Sequence, residues 1–470
     1  ILPRKFYLCS PLLSGGITQE YDPEHHTILS RAMASWFVRL DNSFYDVDDL
    51  SHKRSRIDVE HTAIIRFREE FPAIPLSNAL LAAVLKRTIG TRHTVVEETI
   101  LPWNGRVICR PGDPRRIIVE RGVATINAWT TPAYRRLGET GSDFGVAGEF
   151  FDWFFTRAAE REMFLNWLAW SLQNEGDKPN WAPFLYSARM GTGKSALGRL
   201  LIRLFGEGNS VTQNNIDKLT SRFNMTLLRS KLIVCEEVHL KPGSGDANTL
   251  KTYLTEKFAA GEAKGKETER IEQRVCLVLT SNHMPFWIEP EDRRYYIVSI
   301  DHEGYARGPR SQEFAGVVER LEAWSEDPAN IARLYNALMA RQLPEDFSAK
   351  TLNVDVHGTD IMRQVFGNGR ATILDQLKEL LDEKGQNVIA ETEVVEVVTT
   401  KLKANINSTK HLMSDLGWSK VAVKWGGVDY ARQLWLRPGY SVERGKIYGP
   451  DGWSENIATH LKEQEIEIIR

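Results

Sequence analysis

Short apolar runs separated by amphipathic stretches dominate the middle of the chain. Residues 181–186, 231–238, 275–280 and 295–300 each carry four or more apolar side chains, nearly unbroken. Such runs predict strands buried on both faces of a parallel sheet. Residues 194–205 and 250–258 have helical spacing between them, and 259–274 is polar and reads as a loop with Lys264-Gly265-Lys266 at its turn. Upstream, 5–9 and 36–40 read as short strands and 59–71 and 77–87 as helices, while 116–120 and 123–127 alternate around Gly122 as a hairpin. Residues 148–172 are helical and dense in aromatics, including Phe150, Trp153, Phe164 and Trp167, and predict a helix pair packed beneath the sheet.

The last hundred residues form another unit. Residues 371–383 predict an amphipathic helix, 391–402 a second, with strand as its competitor because of the β-branched EVVEVVTT, and 408–416 a third stopped by Gly417. Residues 418–424 and 430–436 alternate around Gly426-Gly427 as a hairpin, and 454–465 reads as a final polar helix. Three helices followed by a hairpin is a winged-helix order. Lys401, Lys403, Lys410, Lys420 and Lys424 give it a basic side suited to DNA, and a protein-contact role fits as well. The expected division is an α+β region over 1–110 that could serve as an oligomerising collar, a hairpin and helical region over 111–180, an α/β core over 181–300, a helical extension over 301–370 and the winged-helix-like domain over 371–470.

At 470 residues the chain exceeds what one hydrophobic core serves. A formal net charge of −2 excludes a protein coated with nucleic acid, though not one with a local basic channel. Cys9, Cys109, Cys235 and Cys276 are far apart and form no metal-binding or disulfide pattern, which fits a reducing, cytoplasmic setting. No apolar run is long enough to span a membrane, so no membrane partner is expected. The chain opens on Ile1, which predicts a portion of a longer polypeptide.

Candidate chemistry begins where the first apolar run breaks, at FLYSARMGTGKS (184–195). Gly191 and Gly193 let backbone N–H groups close around phosphate oxygens, and the helix that follows adds its partial positive charge. Residues Ala188, Arg189, Met190, Gly191, Thr192, Gly193, Lys194 and Ser195 make a nucleotide loop, with Lys194 reaching the β- and γ-phosphates and the Ser195 hydroxyl on Mg²⁺. The usual first glycine of that motif is Ala188 here. The run LIVC delivers Glu236 and Glu237 to the carboxyl edge of the sheet, where Glu236 would hold Mg²⁺ and Glu237 would orient the attacking water. Asn282, at the tip of the next strand, can sense the γ-phosphate. Arg293 or Arg294, before the last strand, could reach the phosphate of a neighbouring subunit. Two other features read as structural: the acidic cluster Asp46, Asp48, Asp49 as a solvated turn, and His25-His26 as surface.

The order of these elements resembles the superfamily 3 helicases, hexameric AAA+ motors of small DNA viruses, phages and mobile elements, and most of all the phage-type primase-helicase branch. ARMGTGKS, KLIVCEEV, GEAKGKETERI, VLTSN and DRRYYIVSI carry the likeness within residues 127–364. It implies an α/β fold with an AAA+ P-loop core, ATP and Mg²⁺ as cofactors, and a homo-hexameric ring on single-stranded DNA moving 3′ to 5′. It also implies a primase-polymerase module upstream or in trans. By the same resemblance Glu236 and Glu237 are the Walker B acids, Asn282 the sensor, Arg293 or Arg294 the trans-acting finger, and Lys264 and Lys266 the tip of a pore hairpin on DNA. The sequence departs from the family at Ala188 and at Glu236, where aspartate is frequent. An AAA+ ATPase that remodels or loads protein is the alternative, and a small-molecule kinase is disfavoured because no acceptor site is evident.

Overall fold

The computed structural model describes residues 21–90, 95–214, 216–221, 224–241, 244–262, 268–289, 292–402, 406, 409–425 and 430–461. The strand expected over 5–9, Cys9, Lys264, Lys266, Lys403 and the Gly426-Gly427 turn lie outside the described residues. The chain divides into two units, Ile1–Thr131 and Pro132–Arg470.

In the first unit, α1 (Pro23–Trp36) begins with Pro23 at its first turn and Asp22 as its cap. The antiparallel sheet β1 (Phe37–Leu40), β2 (Ser43–Asp46), β3 (Asp49–Arg54) follows. Helix α2 (Arg56–Glu70) opens with a reciprocal capping box between Ser55 and Asp58, and α3 (Asn78–Ile89) with a Ser77 cap. Leu29, Met33, Phe37, Phe67 and Val84 form the core between helices and sheet. A second sheet orders β4 (Trp103–Ile108), β6 (Val123–Asn127) and β5 (Ile117–Glu120), and the expected hairpin pairs Glu120 with Val123 across Arg121-Gly122. Both turn residues have positive φ, 53° and 78°, as a two-residue turn that matches strand twist requires. The acidic cluster differs from a solvated turn: Asp46 is buried and meets Arg66 at 2.6 Å, and Asp48 meets Arg116 at 3.0 Å. Those carboxylates are spent on ion pairs.

The second unit is built on a five-stranded parallel sheet. Helices α4 (Gly145–Phe154) and α5 (Ala158–Gln173) are the aromatic pair expected before it. Next come β7 (Ala182–Tyr186), α6 (Lys194–Phe205), β8 (Ser210–Gln213), the short α7 (Asp217–Thr220) and α8 (Met225–Leu228), then β9 (Leu232–Cys235) and α9 (Gly245–Thr255). Where 259–274 reads as a polar loop from its composition and as a hairpin from the family resemblance, β10 (Phe258–Gly261) pairs antiparallel with β11 (Glu269–Glu272). Strands β12 (Cys276–Ser281) and β13 (Tyr295–Ser299) complete the sheet, whose order is β13-β7-β12-β9-β8. The four apolar runs are its four inner and flanking strands, and β8 is an edge strand the pattern did not announce. Phe184, Val234, Leu279 and Ile297 are fully buried or nearly so, as expected for a sheet covered on both faces. Helices α10 (Ser311–Glu326) and α11 (Pro328–Ala340) pack with α4 and α6, and α12 (Val354–His357) precedes the long α13 (Asp360–Glu383). Thr359 caps α13 and donates its hydroxyl to the Ile297 carbonyl at 2.6 Å, tying that helix to the sheet.

Beyond α13 come β14 (Val388–Ala390) and α14 (Glu391–Glu396), continued as a wider turn over Val397–Lys401. Then follow α15 (Thr409–Asp415), β15 (Ser419–Val423) and β16 (Arg432–Leu436), with sheet order β14-β16-β15. The 391–402 segment is therefore helical rather than extended. Lys420 is ion-paired with Glu391, so it adds nothing to a free basic face. A further meander, β17 (Ser441–Glu443), β18 (Lys446–Tyr448) and β19 (Ser454–Asn456), corrects the last expectation: Ser454 begins a strand, and the helix occupies only 457–461 of the described residues. No described helix is long and apolar enough to cross a membrane.

Candidate active site

Parallel register brings the tips of three central strands side by side. Tyr186 of β7 pairs with Ser281 of β12, and Leu279 of β12 with Cys235 of β9. Strand β12 thus sits between the strand that feeds the glycine loop and the strand that feeds the acids. At the ordinary strand spacing, loop and acids stand about 10 Å apart with Asn282 between them.

The loop itself is set by two left-handed glycines. Gly191 has φ 75° and Gly193 φ 86°. A Cβ on Gly191 would lie 2.7 Å from the Ala306 Cβ, and one on Gly193 2.8 Å from the Phe314 ring, so at both places conformation and space demand glycine. Ala188 keeps an ordinary negative φ, so glycine is not needed at that position. Helix α6 starts at Lys194, and no side chain caps its first turn. Its leading N–H groups, with the loop amides, form a cradle for an anion.

Lys194 projects into this cradle and donates to the Asn282 side-chain carbonyl at 2.9 Å. Burial pushes its pKa down to about 8, while the carboxylates of Glu236 and Glu237 pull the other way. Glu237 is exposed and has φ 54°, a strained conformation for a non-glycine residue. Its carbonyl-side neighbour is fixed, since the Val238 amide donates to the Thr280 carbonyl at 2.9 Å. Glu236 is held by its own amide on the Gln213 carbonyl at 2.7 Å, and its carboxylate approaches α6 at Gly198.

A cleft of about 800 Å³ joins Met190–Ala196, Glu237 and Asn282 to the N-terminal half of α10, where Ser311, Gln312, Ala315 and Val318 form the opposite wall. The structure therefore brings together Met190, Gly191, Thr192, Gly193, Lys194, Ser195, Glu237 and Asn282, with Glu236 just behind them. Arg189 turns outward, its guanidinium 4.2 Å from the Tyr305 ring and 3.6 Å from Asp301. Hard oxygen donors, the Ser195 hydroxyl and the two glutamates, fit Mg²⁺. A wall of mixed polar and apolar side chains beside an anion cradle fits a nucleotide.

Arg293 and Arg294 are not brought to this cleft. They precede β13, and the Arg294 carbonyl accepts from the Ala182 amide at the start of β7, the edge of the sheet opposite the loop. A five-residue strand spans about 16 Å, too far for either arginine to reach the cradle of its own chain. Arg294 pairs with the buried Asp292 at 3.2 Å. Arg293 is exposed, with no side-chain hydrogen bond or ion pair among the described residues.

The sequence reading overlooked the segment after β13 and the α10 wall. The Ala306 amide donates to the Met190 carbonyl at 3.0 Å, and His302 meets the Thr192 carbonyl at 3.2 Å. The signal was present as Gly304 and Gly308 directly after a buried strand, a place where backbone comes close to something else.

A family described only as of unknown function, DUF5906, matches residues 185–294, from inside β7 to the arginines before β13. That stretch holds the loop, acids and asparagine, and is less than half of the chain. No curated protein matches. Among solved structures, the apo structure of the NrS-1 C-terminal region is 14% identical, covers 88% of this chain and 100% of its own, and superposes with a TM-score of 0.51. The A form apo structure of that region is 15% identical with a TM-score of 0.49, covering 84% of this chain and 93% of its own. At such identities the likeness is one of fold: this chain shares the mixed α/β architecture of the NrS-1 C-terminal region.

Proposed function

We propose that this chain is a Mg²⁺-dependent ATPase of the AAA+ superfamily 3 type, acting as a DNA helicase in replication of a phage or mobile element. The observation that carries the reading is the strand order that seats Asn282, already bonded to Lys194, between the glycine loop and the Glu236-Glu237 pair. In this reading the loop amides and Lys194 bind the triphosphate, and Asn282 orients the γ-phosphate. Glu237 accepts a proton from the attacking water, and Ser195 and Glu236 hold the metal. Mg²⁺ would neutralise charge on the β- and γ-oxygens. Hydrolysis needs a further cation opposite Lys194, and the arginines stand on the far edge of the sheet. A ring of copies, here a hexamer, supplies it from the neighbour, and Arg293 is the arginine left free to do so.

The β10–β11 hairpin fits a DNA-tracking element, with Lys264 and Lys266 touching phosphates without reading bases. The 371–470 region is read as a winged-helix domain, and a primase-polymerase module is expected upstream or in trans, in a bacterial cytoplasm. The test is the rate of ATP hydrolysis against single-stranded DNA concentration at two salt levels, with Lys194→Ala as control. Saturable, salt-sensitive stimulation that the control abolishes supports a DNA motor. Hydrolysis indifferent to DNA refutes it and points to the remodelling of protein, and translocation from 3′ to 5′ is checked by unwinding of tailed duplexes.

A further inference from the structure

The segment that follows β13 packs against the glycine loop, and His302 is one of its contacts there. The ring is almost fully buried, against Phe314 at 4.4 Å and Trp153 at 6.2 Å between centroids. Its two nitrogens have backbone partners whose roles are fixed. The Gly304 amide donates to Nδ1 at 3.1 Å, and Nε2 faces the Thr192 carbonyl at 3.2 Å. An amide can only donate and a carbonyl can only accept, so the ring is the neutral tautomer with its proton on Nε2. Thr192 lies between the two left-handed glycines that shape the anion cradle. Four residues after His302, the Ala306 amide donates to the Met190 carbonyl and secures the loop at a second point.

We propose that His302 is a positioning residue for nucleotide binding: as a neutral donor it holds the Thr192 carbonyl turned outward, so that the amides of the glycine loop face the phosphates. This rests on the nucleotide-site reading above. A carbonyl that rotated inward would set an acceptor against the phosphate oxygens, so the donor behind the loop keeps the cradle positive. Protonation of His302 places a second N–H against the Gly304 amide and undoes that contact, while Nε2–H still faces the Thr192 carbonyl.

The groups facing the ring are few. Asp301 and Glu303 flank it in the chain, Arg189 pairs with Asp301, α4 contributes Trp153 and α10 Phe314, and the Arg310 guanidinium lies 4.2 Å from the Trp153 ring. Burial lowers the pKa of His302 below 6.5, and the contact with Thr192 and the Asp301 charge partly offset this. The Gly304 contact therefore persists at neutral pH and is lost only once the ring takes up a proton, below 6.5.

The test is binding of a fluorescent N-methylanthraniloyl-ATP to the full chain, with Lys194→Ala as the control for the site. His302→Gln retains a side-chain N–H donor, and His302→Leu retains bulk alone. The expected result is affinity within about threefold of the parent for His302→Gln and about tenfold weaker for His302→Leu, the scale of one buried hydrogen bond. Retention of affinity by His302→Gln and its loss in His302→Leu is a difference a merely space-filling ring would not produce. Where His302→Leu does not fold, the ring ¹⁵N shifts decide, with a single Nε2–H tautomer expected. Binding by the parent that His302→Leu leaves unchanged, or the Nδ1–H tautomer, overturns the proposal. Failure of the parent itself to bind in a Lys194-dependent way overturns the nucleotide-site reading instead, and this proposal with it.

Discussion

Lys194 offers a prediction whose size follows from its surroundings. Burial holds its pKa down near 8, so in nucleotide-free protein at pH 8 about half the molecules carry a neutral amine. A triphosphate beside the ammonium favours the charged form and draws the pKa back up. Binding at pH 8 therefore takes up about half a proton per site, rising to about nine-tenths at pH 9 and falling to about a tenth at pH 7. Because the neutral amine must be protonated before it can meet the phosphates, affinity weakens as pH rises through 8. Between pH 7 and pH 9 the loss is about tenfold, or about 1.4 kcal/mol. Calorimetric titration with Mg-ATP in two buffers of different ionisation enthalpy reads the proton uptake directly. Lys194→Arg is the internal control, since a guanidinium stays charged and its binding heat is independent of buffer. Equal heats in the two buffers at pH 8, together with unchanged affinity from pH 7 to 9, would show a fully charged lysine and refute the reasoning.

Further outcomes are expected at the glycines and at the arginines before β13. Gly191→Ala forces a side chain into a left-handed φ of 75° and to within 2.7 Å of Ala306, at a combined cost of about 2–4 kcal/mol by denaturant unfolding. Gly176→Ala, with nothing within 4 Å of its Cβ, stays within about 0.5 kcal/mol, and similar losses for the two would refute the close-approach argument. Arg293→Ala leaves unfolding within about 0.5 kcal/mol of the parent but removes steady-state ATP hydrolysis at concentrations that favour assembly. Arg294→Ala destabilises by about 1–3 kcal/mol, because the buried Asp292 loses its partner while Arg294 is about one-third exposed. Hydrolysis that survives Arg293→Ala would sink its assignment as the trans residue.

What could be read from the sequence was what is written locally. The apolar runs named four of the five sheet strands because strands buried on both faces leave continuous hydrophobic stretches. They missed β8, whose residues Ser210–Gln213 are polar at three of four positions and lie at an edge. The Arg121-Gly122 turn was legible because strands of four and five residues flank it. Arg444-Gly445 has the same positive φ pair, 48° and 77°, but joins strands of only three residues, too short for alternation to register. In EVVEVVTT the β-branched composition favoured a strand, yet Val394, Val397 and Val398 fall at helical spacing and pack with Leu377 and Leu381, so tertiary burial overrode propensity.

The candidate site divides along the same line. Glycines, lysine, acids and asparagine stand at strand tips, where a motif places them by counting from an apolar run. His302 faces Thr192 across 110 residues, and both its partners are backbone groups. Neither partner's identity leaves a trace in the sequence, since any residue at 192 offers a carbonyl and any non-proline at 304 an amide. A motif can thus mark the residues that touch a phosphate, whereas the residue that holds the loop in shape becomes visible only once β13 lies beside β7 and returns the chain to the same edge.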